Sequence, residues 1–569
     1  MGGRRGGASS PGAEGVVGAV FTRFPRRWGV GPIDSGMTSV CFYFQVHQPH
    51  RLRRYSVFDS DPFYFDDAKN AQICRKVADK CYRPTTQLIL DLVRRHKGNF
   101  RVSYAITGTV LDQLEQWAPD VIKIFQDLAA TGCCEFVGET YFHSLSYLYS
   151  KREFDEQVLM HTRRIQQLFG QTPQVFRNTE LIYNNDLAWH VSQMTDEKGE
   201  RRFKGQLCEG VDRHLGHRSP NYVYTPPGGA VGRGNRPFGL LLKNYRLSDD
   251  IAFRFSNRGW AEWPLSAEKF AQWVNQINGD GFLCNLFMDY ETFGEHQWAD
   301  TGIFQFLSAL PEKVFDINPG HNHFITPSMA LEQIAPVGEY DVHDFISWAD
   351  TERDLTAWRG NAMQNNALEE TYRLEGPIKA AHERAVKGGD AAAAAEAGHL
   401  LNDWRKLTTS DHFYYMCTKY FADGDVHKYF NPYDSPYDSY INFMNVLDNV
   451  RTRLAGVGAG EVSGTDGDQE SARREIVRTA TAMVSGSLDL VAGSRRLCAL
   501  RHELAACNGG LFEPIIGFES ETDVFPVGDA RAEYSGSYLK QLDQELEKYL
   551  VLWRPDVLAA CKRIIETLG

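Results

Sequence analysis

The sequence predicts an α/β fold in which parallel strands form a barrel and an α-helical region is appended to it. Seven short β-rich segments recur between residue 38 and about residue 290. Several are apolar on both faces, as parallel strands covered by helices are. Helical segments lie between some of them, and this alternation implies right-handed parallel crossovers. After about residue 325 helical patterns dominate, which predicts the appended region.

The predicted strands follow one another in a regular order. They are Ser39–Val46, Phe100–Ile106, Cys134–Val137, Gln174–Arg177, Phe203–Leu207, Leu240–Asn244 and Phe282–Met288. Apolar residues at three- and four-residue steps predict helices from Leu111 to Leu128 and from Phe154 to Phe169. An open sheet that binds a dinucleotide would carry a glycine-rich turn after its first strand. Here His47-Gln48-Pro49-His50 stands at that point, so the pattern favours a barrel.

The second half of the chain is predicted to be helical. The predicted helices are Thr326–Gln333, Leu355–Tyr372, Gly376–Lys387, His399–Lys406, Tyr440–Leu454, Arg473–Ala506 and Tyr538–Leu568. The Ala- and Gly-rich run Gly388–Gly398 predicts a loop or a frayed helix. The predicted domains are a barrel over 37–325, a helical region over 326–455, a linker over 456–470 and a C-terminal helical region over 471–569.

Residues 1–36 differ in composition from the rest of the chain. They are rich in Gly and Arg, and Glu14 and Asp34 are their only acids. No apolar segment typical of a secretory signal is present. Two interpretations stay open: an organelle transit peptide, or a translation start at Met37. Both predict a disordered N-terminal extension, and they place the protein in a plastid or another organelle, or in the cytoplasm.

Composition excludes several classes of protein. The chain has 569 residues and a net charge of −12, whereas nucleic-acid or anionic-membrane binders carry a basic surface. No run approaches the roughly 18 apolar residues that a membrane helix needs. The 11 cysteines include no Cys-x-x-Cys spacing, which predicts reduced thiols. We therefore expect no nucleic-acid or membrane partner, and the oligomeric state stays open.

Polar residues collect after the predicted strands. In an α/β barrel the catalytic groups come from the C-terminal ends of several strands. The strand-end residues here are His47, Gln48, Glu139, His143, Glu180, Glu209, Asp212 and Asp289. Two of them, Glu180 and Asp289, each end an apolar strand, where a carboxylate is partly desolvated.

Two carboxylates across a barrel mouth are what glycoside cleavage needs. One stays ionised and attacks the anomeric carbon or activates water, while the other protonates the departing oxygen. A structural ion pair with Arg177 is an alternative, as is a metal site of His47, His143 and Asp289 in a metal-dependent glycan hydrolase. The sequence contains neither a P-loop nor a Gly-x-Ser-x-Gly elbow.

Several ordered motifs make the sequence recognisable. They are His47-Gln48-Pro49, the strand-end Glu180, the segment from Phe287 to Gly294, and the segments 140–145, 218–224, 247–254 and 410–415. Together they resemble glycoside hydrolase family 57 over roughly residues 38–455, with the α-amylase-like members the most similar. Two features depart from the family. Many members have Trp-Leu-Pro-Glu where this chain has Arg177-Asn178-Thr179-Glu180, and many have an acid in place of His143.

The resemblance implies an incomplete (β/α)7 barrel, an appended helical region and a retaining mechanism without a metal or other cofactor. It implies Glu180 as the nucleophile and Asp289 as the general acid/base. Strand-end position and resemblance together give these candidate substrate-binding residues: His47, Gln48, His143, Asp212, Trp348, Asp411, His412 and Tyr414.

The expected activity is α-amylase-like cleavage of α-1,4-glucosidic bonds. The expected partner is an α-glucan polysaccharide or a maltooligosaccharide, a neutral ligand that needs no basic surface. Aromatic residues make up 12% of the chain, and pyranose rings stack on such side chains. The candidate rings are Trp260, Trp263, Trp298, Trp348, Trp358, Trp404, Phe413, Tyr414 and Tyr415. Three alternatives stay open: a 4-α-glucanotransferase, a branching enzyme, and a catalytically silent glycan-binding barrel.

Overall fold

The computed structural model describes residues 38–230, 237–422, 426–458, 466–500, 509–522, 525 and 536–568. The chain divides into two compact units, Met1–Leu454 and Ala455–Gly569. The predicted N-terminal extension and the middle of the predicted linker lie outside the described residues.

The first unit contains nine described strands. They are β1 (Ser39–Val46), β2 (Val102–Ile106), β3 (Cys134–Phe136), β4 (Val175–Arg177), β5 (Gly205–Glu209), β6 (Val223–Tyr224), β7 (Gly239–Lys243), β8 (Leu283–Asp289) and β9 (His323–Phe324). All seven predicted strands are present, with ends shifted by up to two residues. The structure adds β6 and β9, two-residue strands too short to show a period.

The seven predicted strands form a parallel barrel. One sheet has the order β3-β2-β1-β8 with β9 beside β1, and the other has the order β4-β5-β7-β6. Gly138 joins them, because its amide donates to Val175 and its carbonyl accepts from Arg177, at 2.9 and 2.8 Å. Between β7 and β8, the Asn285 side chain donates to the Leu242 carbonyl at 2.8 Å. The predicted (β/α)7 barrel is confirmed.

The barrel is incomplete between β7 and β8, because these two strands are not joined by a β-ladder. Strand β6 runs antiparallel to β7, and the carbonyl of Asn221 just before it accepts from the amides of Phe282 and Leu283. Strand β6 thus fills the N-terminal part of this gap, and just after the end of β7 the backbone N–H of Asn244 donates to the carbonyl of Asn285 in β8.

Side chains of the strands alternate between two cores, as the pleat requires. In β1, Phe42 and Phe44 belong to the outer core beneath the helices, whereas Tyr43 lies in the barrel interior. Gln45 has the same parity as Tyr43 and lines a cavity at the barrel mouth. The interior is therefore apolar at the base and polar at the C-terminal ends of the strands.

Eighteen α-helices are described in the first unit, the last extending to Gly458. They are α1 (Asp67–Val77), α2 (Arg83–Arg95), α3 (Gly108–Trp117), α4 (Pro119–Ala130), α5 (Lys151–Phe169), α6 (Asn185–Gln193), α7 (Asp212–Leu215), α8 (Tyr245–Ala252), α9 (Ala267–Asn275), α10 (Ile303–Ile317), α11 (Pro327–Gln333), α12 (Thr356–Arg359), α13 (Ala362–Arg373), α14 (Glu375–Gly388), α15 (Ala391–Leu407), α16 (Ser410–Tyr414), α17 (Val426–Phe430) and α18 (Pro436–Gly458).

Four local predictions about helices were wrong, one of them in the second unit, where the predicted helix Arg473–Ala506 is interrupted between Val484 and Leu490. The predicted helix from Leu111 to Leu128 is broken at Ala118-Pro119, because proline starts a new helix and disfavours helix in the residue before it. The predicted helix Leu355–Tyr372 breaks at Gly360-Asn361, where Asn361 forms a capping box with Gln364. Conversely, the Ala-rich run is helical from Ala391, since the Asp390 side chain caps it and alanine favours helix.

An ion-pair network ties the helical region to the barrel. Lys379 of α14 is 4% exposed and lies 2.7 Å from Glu153 of α5, which is fully buried. Arg405 of α15 lies 2.8 Å from the same Glu153. Two residues after α15, the Thr409 hydroxyl donates to the Phe142 carbonyl at 2.9 Å. Helix α16, which follows at once, is thereby held over the barrel mouth.

The second unit has a small helical core of its own. Its described helices are α19 (Asp466–Val484), α20 (Leu490–Leu500), α21 (Gly509–Thr522) and α22 (Gly536–Leu568). Buried Ile476, Phe518 and Ile564 belong to this core. Residues 466–470 of the predicted linker are helical, and α21 was not predicted. No helix within the described ranges combines the length and the apolarity that crossing a membrane requires.

Candidate active site

A cavity of about 490 Å³ opens at the C-terminal ends of the barrel strands. It gathers most of the predicted site residues from β1, β8, the loops after β3 and β4, α16 and the loop before α12. Those that line it are His47, Gln48, His143, Glu180, Asp289, Trp348, Asp411 and Tyr414. Positions more than 360 residues apart in the chain thus share one space.

Glu180 lies on a 3₁₀ turn (Thr179–Leu181) three residues after β4. Its φ of 58° is in the left-handed region, which non-glycine residues rarely adopt. One carboxylate oxygen accepts from the Ser410 hydroxyl at 3.0 Å and from His143 Nε2 at 3.3 Å. The other accepts from Trp348 Nε1 at 2.7 Å. Three donors therefore hold this carboxylate in one orientation.

The surroundings of Glu180 favour its ionised form. Burial alone would raise its pKa, but the hydrogen bond and charge of His143, together with the charge of Arg177, outweigh burial and hold the pKa below its usual value. Asp411 acts in the opposite direction. Glu180 is thus an ionised, half-buried carboxylate at neutral pH.

The surroundings of Asp289, the last residue of β8, shift its pKa in the opposite direction to that of Glu180. Burial raises its pKa, and the charge of Glu180 raises it further, against the influence of His296 and Arg177. Two carboxyl groups that line the same cavity therefore differ in proton affinity. Such a split is the pattern by which acid and base roles are assigned to a pair of carboxyls.

His143 connects Glu180 to a buried network below it. Its Nδ1 lies 3.2 Å from Glu139 Oε2, and Glu139 is fully buried. The Gln45 amide donates to both oxygens of Glu139 at 3.2 Å. Burial opposes protonation of His143, but the hydrogen bonds to Glu139 and Glu180 outweigh it and raise the pKa to about 9. Both ring nitrogens of His143 therefore donate at neutral pH.

His47 follows β1 and has a different protonation state. Burial lowers its pKa, and the neighbouring charge of His143 lowers it further. Its Nε2 lies 2.9 Å from Asp411, whose carboxylate is held ionised mainly by His47 despite burial, with the pKa well below the usual value. A neutral ring must then donate from Nε2 to Asp411 and accept at Nδ1 from the Thr107 hydroxyl, 2.9 Å away.

Left-handed backbone conformations concentrate at this cavity. Among the described residues, four of the seven non-glycine residues with positive φ line it: His143, Glu180, Asp350 and Arg353. Such conformations persist where surrounding structure over-determines them, and they cluster at functional sites. The cavity is therefore an independent candidate site on backbone geometry alone.

Two predicted substrate-binding residues do not line the cavity. Asp212 begins α7, and its side chain is 60% exposed, accepting from the Tyr245 hydroxyl at 2.7 Å and pairing with Arg246. Helix α7 turns this carboxylate away from the strand ends. His412 is 2% exposed and lies in the core beside Phe443, because its neighbour Asp411 takes the cavity side of α16.

Sequence reasoning missed several residues that line the cavity, among them Lys243, Asp249, Arg353 and Glu291. Lys243 ends the apolar strand β7 much as Asp289 ends β8, so the strand-end rule could have found it. Glu291 lies two residues after Asp289, and burial and the Asp289 charge raise its pKa to about 8. Arg353 lies in an irregular loop that gives no periodic signal.

The predicted aromatic residues fall into three groups. Trp348, Trp358, Tyr414 and Tyr415 line the cavity, whereas Trp404 and Phe413 are fully buried core residues. Trp260 packs against the outer core beneath the helices, and Trp263 and Trp298 are exposed away from the cavity. Phe253 and Phe430, which were not predicted, line the cavity with exposed rings.

The metal interpretation finds no support in the cluster geometry. Within the described part of the chain, no three His, Cys, Asp or Glu side chains are arranged to hold a metal ion. His47 and His143 are instead engaged with Asp411, Glu139 and Glu180.

Comparison with known proteins identifies the family of this chain. The model of glycosyl hydrolase family 57 matches residues 41–343. A Methanocaldococcus jannaschii protein named "Putative alpha-amylase" is 40% identical over 414 residues, which are 72% of this chain and 83% of that protein.

Solved structures share the fold. A family 57 branching enzyme from Thermococcus kodakaraensis has a TM-score of 0.51 at 14% identity, with 75% of this chain and 92% of that chain covered. The branching enzyme from Pyrococcus horikoshii has a TM-score of 0.51 at 13% identity, with 76% and 93% covered. Family model and relative together show that this chain belongs to glycosyl hydrolase family 57.

Proposed function

We propose that this protein is a retaining, α-amylase-like glycosidase that cleaves α-1,4-glucosidic bonds through a glycosyl-enzyme intermediate. One observation carries the proposal: Glu180 and Asp289 line the same cavity, and their surroundings move the two pKa values in opposite directions. An ionised nucleophile and a protonated acid are the two states that the first step needs.

In the first step, the Glu180 carboxylate attacks the anomeric carbon and Asp289 protonates the glycosidic oxygen. The C–O bond to the leaving sugar breaks as the bond to Glu180 forms. Because Trp348 and Ser410 each donate to a different oxygen of Glu180, the carboxylate is oriented before substrate arrives. Such preorganisation lowers the barrier without cost at the moment of reaction.

In the second step, Asp289, now ionised, removes a proton from a water molecule that attacks the anomeric carbon from the opposite face. Glu180 leaves as a carboxylate, so the configuration is retained overall. The pKa of Asp289 must be high enough for it to act first as an acid, and burial with the Glu180 charge supports this. Once Glu180 is esterified, the latter contribution is lost, which favours the ionised base.

The proposed substrate is a neutral α-glucan. The support is family membership, the similarity to a protein named "Putative alpha-amylase", and a cavity that combines acids with aromatic rings. Trp358, Tyr414 and Tyr415 offer apolar faces to pyranose rings, while Asp249, Asp350 and Asp411 can accept from sugar hydroxyls.

The test is product analysis with the full-length chain on maltoheptaose and on amylose. Hydrolysis yields only shorter chains, transfer also yields longer chains, and branching yields α-1,6 linkages. Time-resolved NMR of the first product would show the α-anomer before mutarotation if the mechanism is retaining. Absence of every product, or release of the β-anomer, would contradict the proposal. Glu180→Gln and Asp289→Asn serve as controls with strongly reduced activity in the same assay.

A further inference from the structure

A buried arginine, Arg177, lies three residues before the proposed nucleophile. Arg177 ends β4 and has no exposed surface. None of its three guanidinium nitrogens has a hydrogen-bond partner among the described residues. Burying an ion costs several kcal/mol unless nearby groups compensate it, so an unpaired buried guanidinium needs an explanation.

The compensation comes from an aromatic face and from carboxylates. The guanidinium carbon lies 4.9 Å from the centroid of the Trp348 ring, a cation–π distance. The same indole donates its N–H to Glu180 at 2.7 Å. Arg177 also acts through space on Glu139 and Glu180, lowering the pKa of both.

We propose that Arg177 is a positioning residue. Its guanidinium, which lies against the Trp348 ring, supplies a fixed positive charge that keeps Glu180 ionised. The same contact holds the Trp348 indole in place as a donor to Glu180. This inference rests on the proposed function, in which Glu180 is the nucleophile. The guanidinium lies against the Trp348 ring and not on the carboxylate, so it stabilises the anion through space and leaves the carboxylate oxygens to the donors of Ser410, His143 and Trp348.

Other charged groups also act on Glu180 and Asp289, so these groups must stay unmutated in any test of Arg177. They are His143, Asp411, His296 and Lys243. Tyr43 and Tyr414 also face Glu180, but burial raises the pKa of both phenols, so they stay neutral at working pH.

The experiment measures kcat/KM against pH on a soluble maltooligosaccharide for wild type, Arg177→Gln and Arg177→Lys. Loss of the charge should move the acid limb of Arg177→Gln up by about one pH unit, which is a tenfold loss at a pH on that limb. Arg177→Lys keeps a charge and should keep the acid limb near the wild-type position. It should still lose kcat, because an ammonium does not stack as a planar guanidinium does.

Arg101→Gln is the matched control. Arg101 is 5% exposed and lies just before β2, at the opposite end of the barrel. It should alter thermal stability without moving the acid limb. An unmoved limb in Arg177→Gln, or equal shifts in the Gln and Lys variants, overturns the inference. If the wild type forms no product from any α-glucan, the proposed function itself fails, and the two failures are thus distinguished.

A folding defect in Arg177→Gln would still be informative. The double variant Arg177→Gln/Glu180→Gln removes both charges together, so it should regain thermal stability relative to the single Arg177 variant. If the double variant is no more stable than the single one, the two charges are not coupled and the inference is overturned.

Discussion

The imidazole rings of His47 and His143 lie stacked, with centroids 4.1 Å apart. Two protonated rings at this distance would repel one another, and the surrounding carboxylates assign the proton to one of them. His143 lies between Glu139 and Glu180 and has a pKa of about 9, whereas burial and His143 together lower the pKa of His47. One ring is therefore a cation beside the proposed nucleophile, and the other is a neutral donor to Asp411.

Replacing His143 should shift the acid limb of activity. In His143→Gln the imidazolium that holds the pKa of Glu180 down is lost, so this pKa rises and Glu180 is protonated at a higher pH. The acid limb of kcat/KM should move to higher pH in a full pH–rate profile. His427→Gln is the matched control, because His427 also has a pKa of about 9 but pairs with Asp350. A shift in the control alone would refute the assignment.

Stability should fall at alkaline pH for the same reason. A histidine whose folded pKa is about 9 contributes stability that is fully present below its unfolded value, near 6.5, and is lost as pH rises through 9. His143 and His427 both contribute in this window. Thermal unfolding measured from pH 6.5 to 10 should show a decline that is smaller in each single Gln variant and smallest in the double variant. Equal declines in all four proteins would contradict the shifts.

Asp289→Asn should separate the two chemical steps. Loss of acid–base catalysis should lower kcat/KM on maltooligosaccharides by about 10² to 10⁴. An activated aryl α-glycoside has a leaving group that needs little protonation, so its first step should lose much less. Burst kinetics with that substrate should then show accumulation of the glycosyl-enzyme, since the general base of the second step is also missing. Equal losses on both substrates would argue against the acid role.

Trp348→Phe should lower turnover while keeping most of the packing. The variant removes the indole N–H that donates to Glu180 at 2.7 Å. A hydrogen bond to a charged group contributes about 1.5–3 kcal/mol, so kcat should fall by about tenfold to a hundredfold. Trp404→Phe removes an equally short bond, to the Thr371 carbonyl, from a buried indole outside the cavity. It should affect the melting temperature but not kcat.

The barrel could be predicted from sequence because its strands are unusually regular in composition. Strands covered on both faces read as unbroken apolar runs, and all seven were found. Their polar ends indicated His47, His143, Glu180 and Asp289, which the structure brings together in one cavity. Trp348 and Asp411 came only from the family resemblance, since nothing in their local pattern places them over a strand end.

The errors have physical causes in the residues after each strand. Asp212 follows β5 as expected, but helix α7 starts at once and carries its carboxylate outward. His412 and Asp411 are adjacent on a short helix, where adjacent residues point in different directions. Arg353 enters the cavity from an irregular loop with a left-handed conformation, and no sequence periodicity describes such a loop. The position of a side chain on an irregular loop therefore has to be read from the structure and not from the sequence.

Lys379→Met should weaken the attachment of the helical region. Lys379 is 4% exposed and lies within 3.1 Å of Glu153, Glu156 and Glu375. Removing one partner of a buried ion pair leaves charge uncompensated, so unfolding free energy should fall on the order of 3 kcal/mol in denaturant titrations. Arg152→Met removes ion pairs to Glu156 and Glu383 from a side chain that is 63% exposed.

The Arg152 variant should change stability by less than about 1 kcal/mol, because exposed ion pairs contribute little. Glu153 keeps Arg405 as a partner in Lys379→Met, so the fold should survive and activity can be measured. Helices α14 and α15 lead to the segment that carries Ser410 and Asp411. In the Lys379 variant, kcat should therefore decrease at denaturant concentrations well below the midpoint of unfolding. Equal stability losses in the two variants would show that burial does not decide the strength of this network.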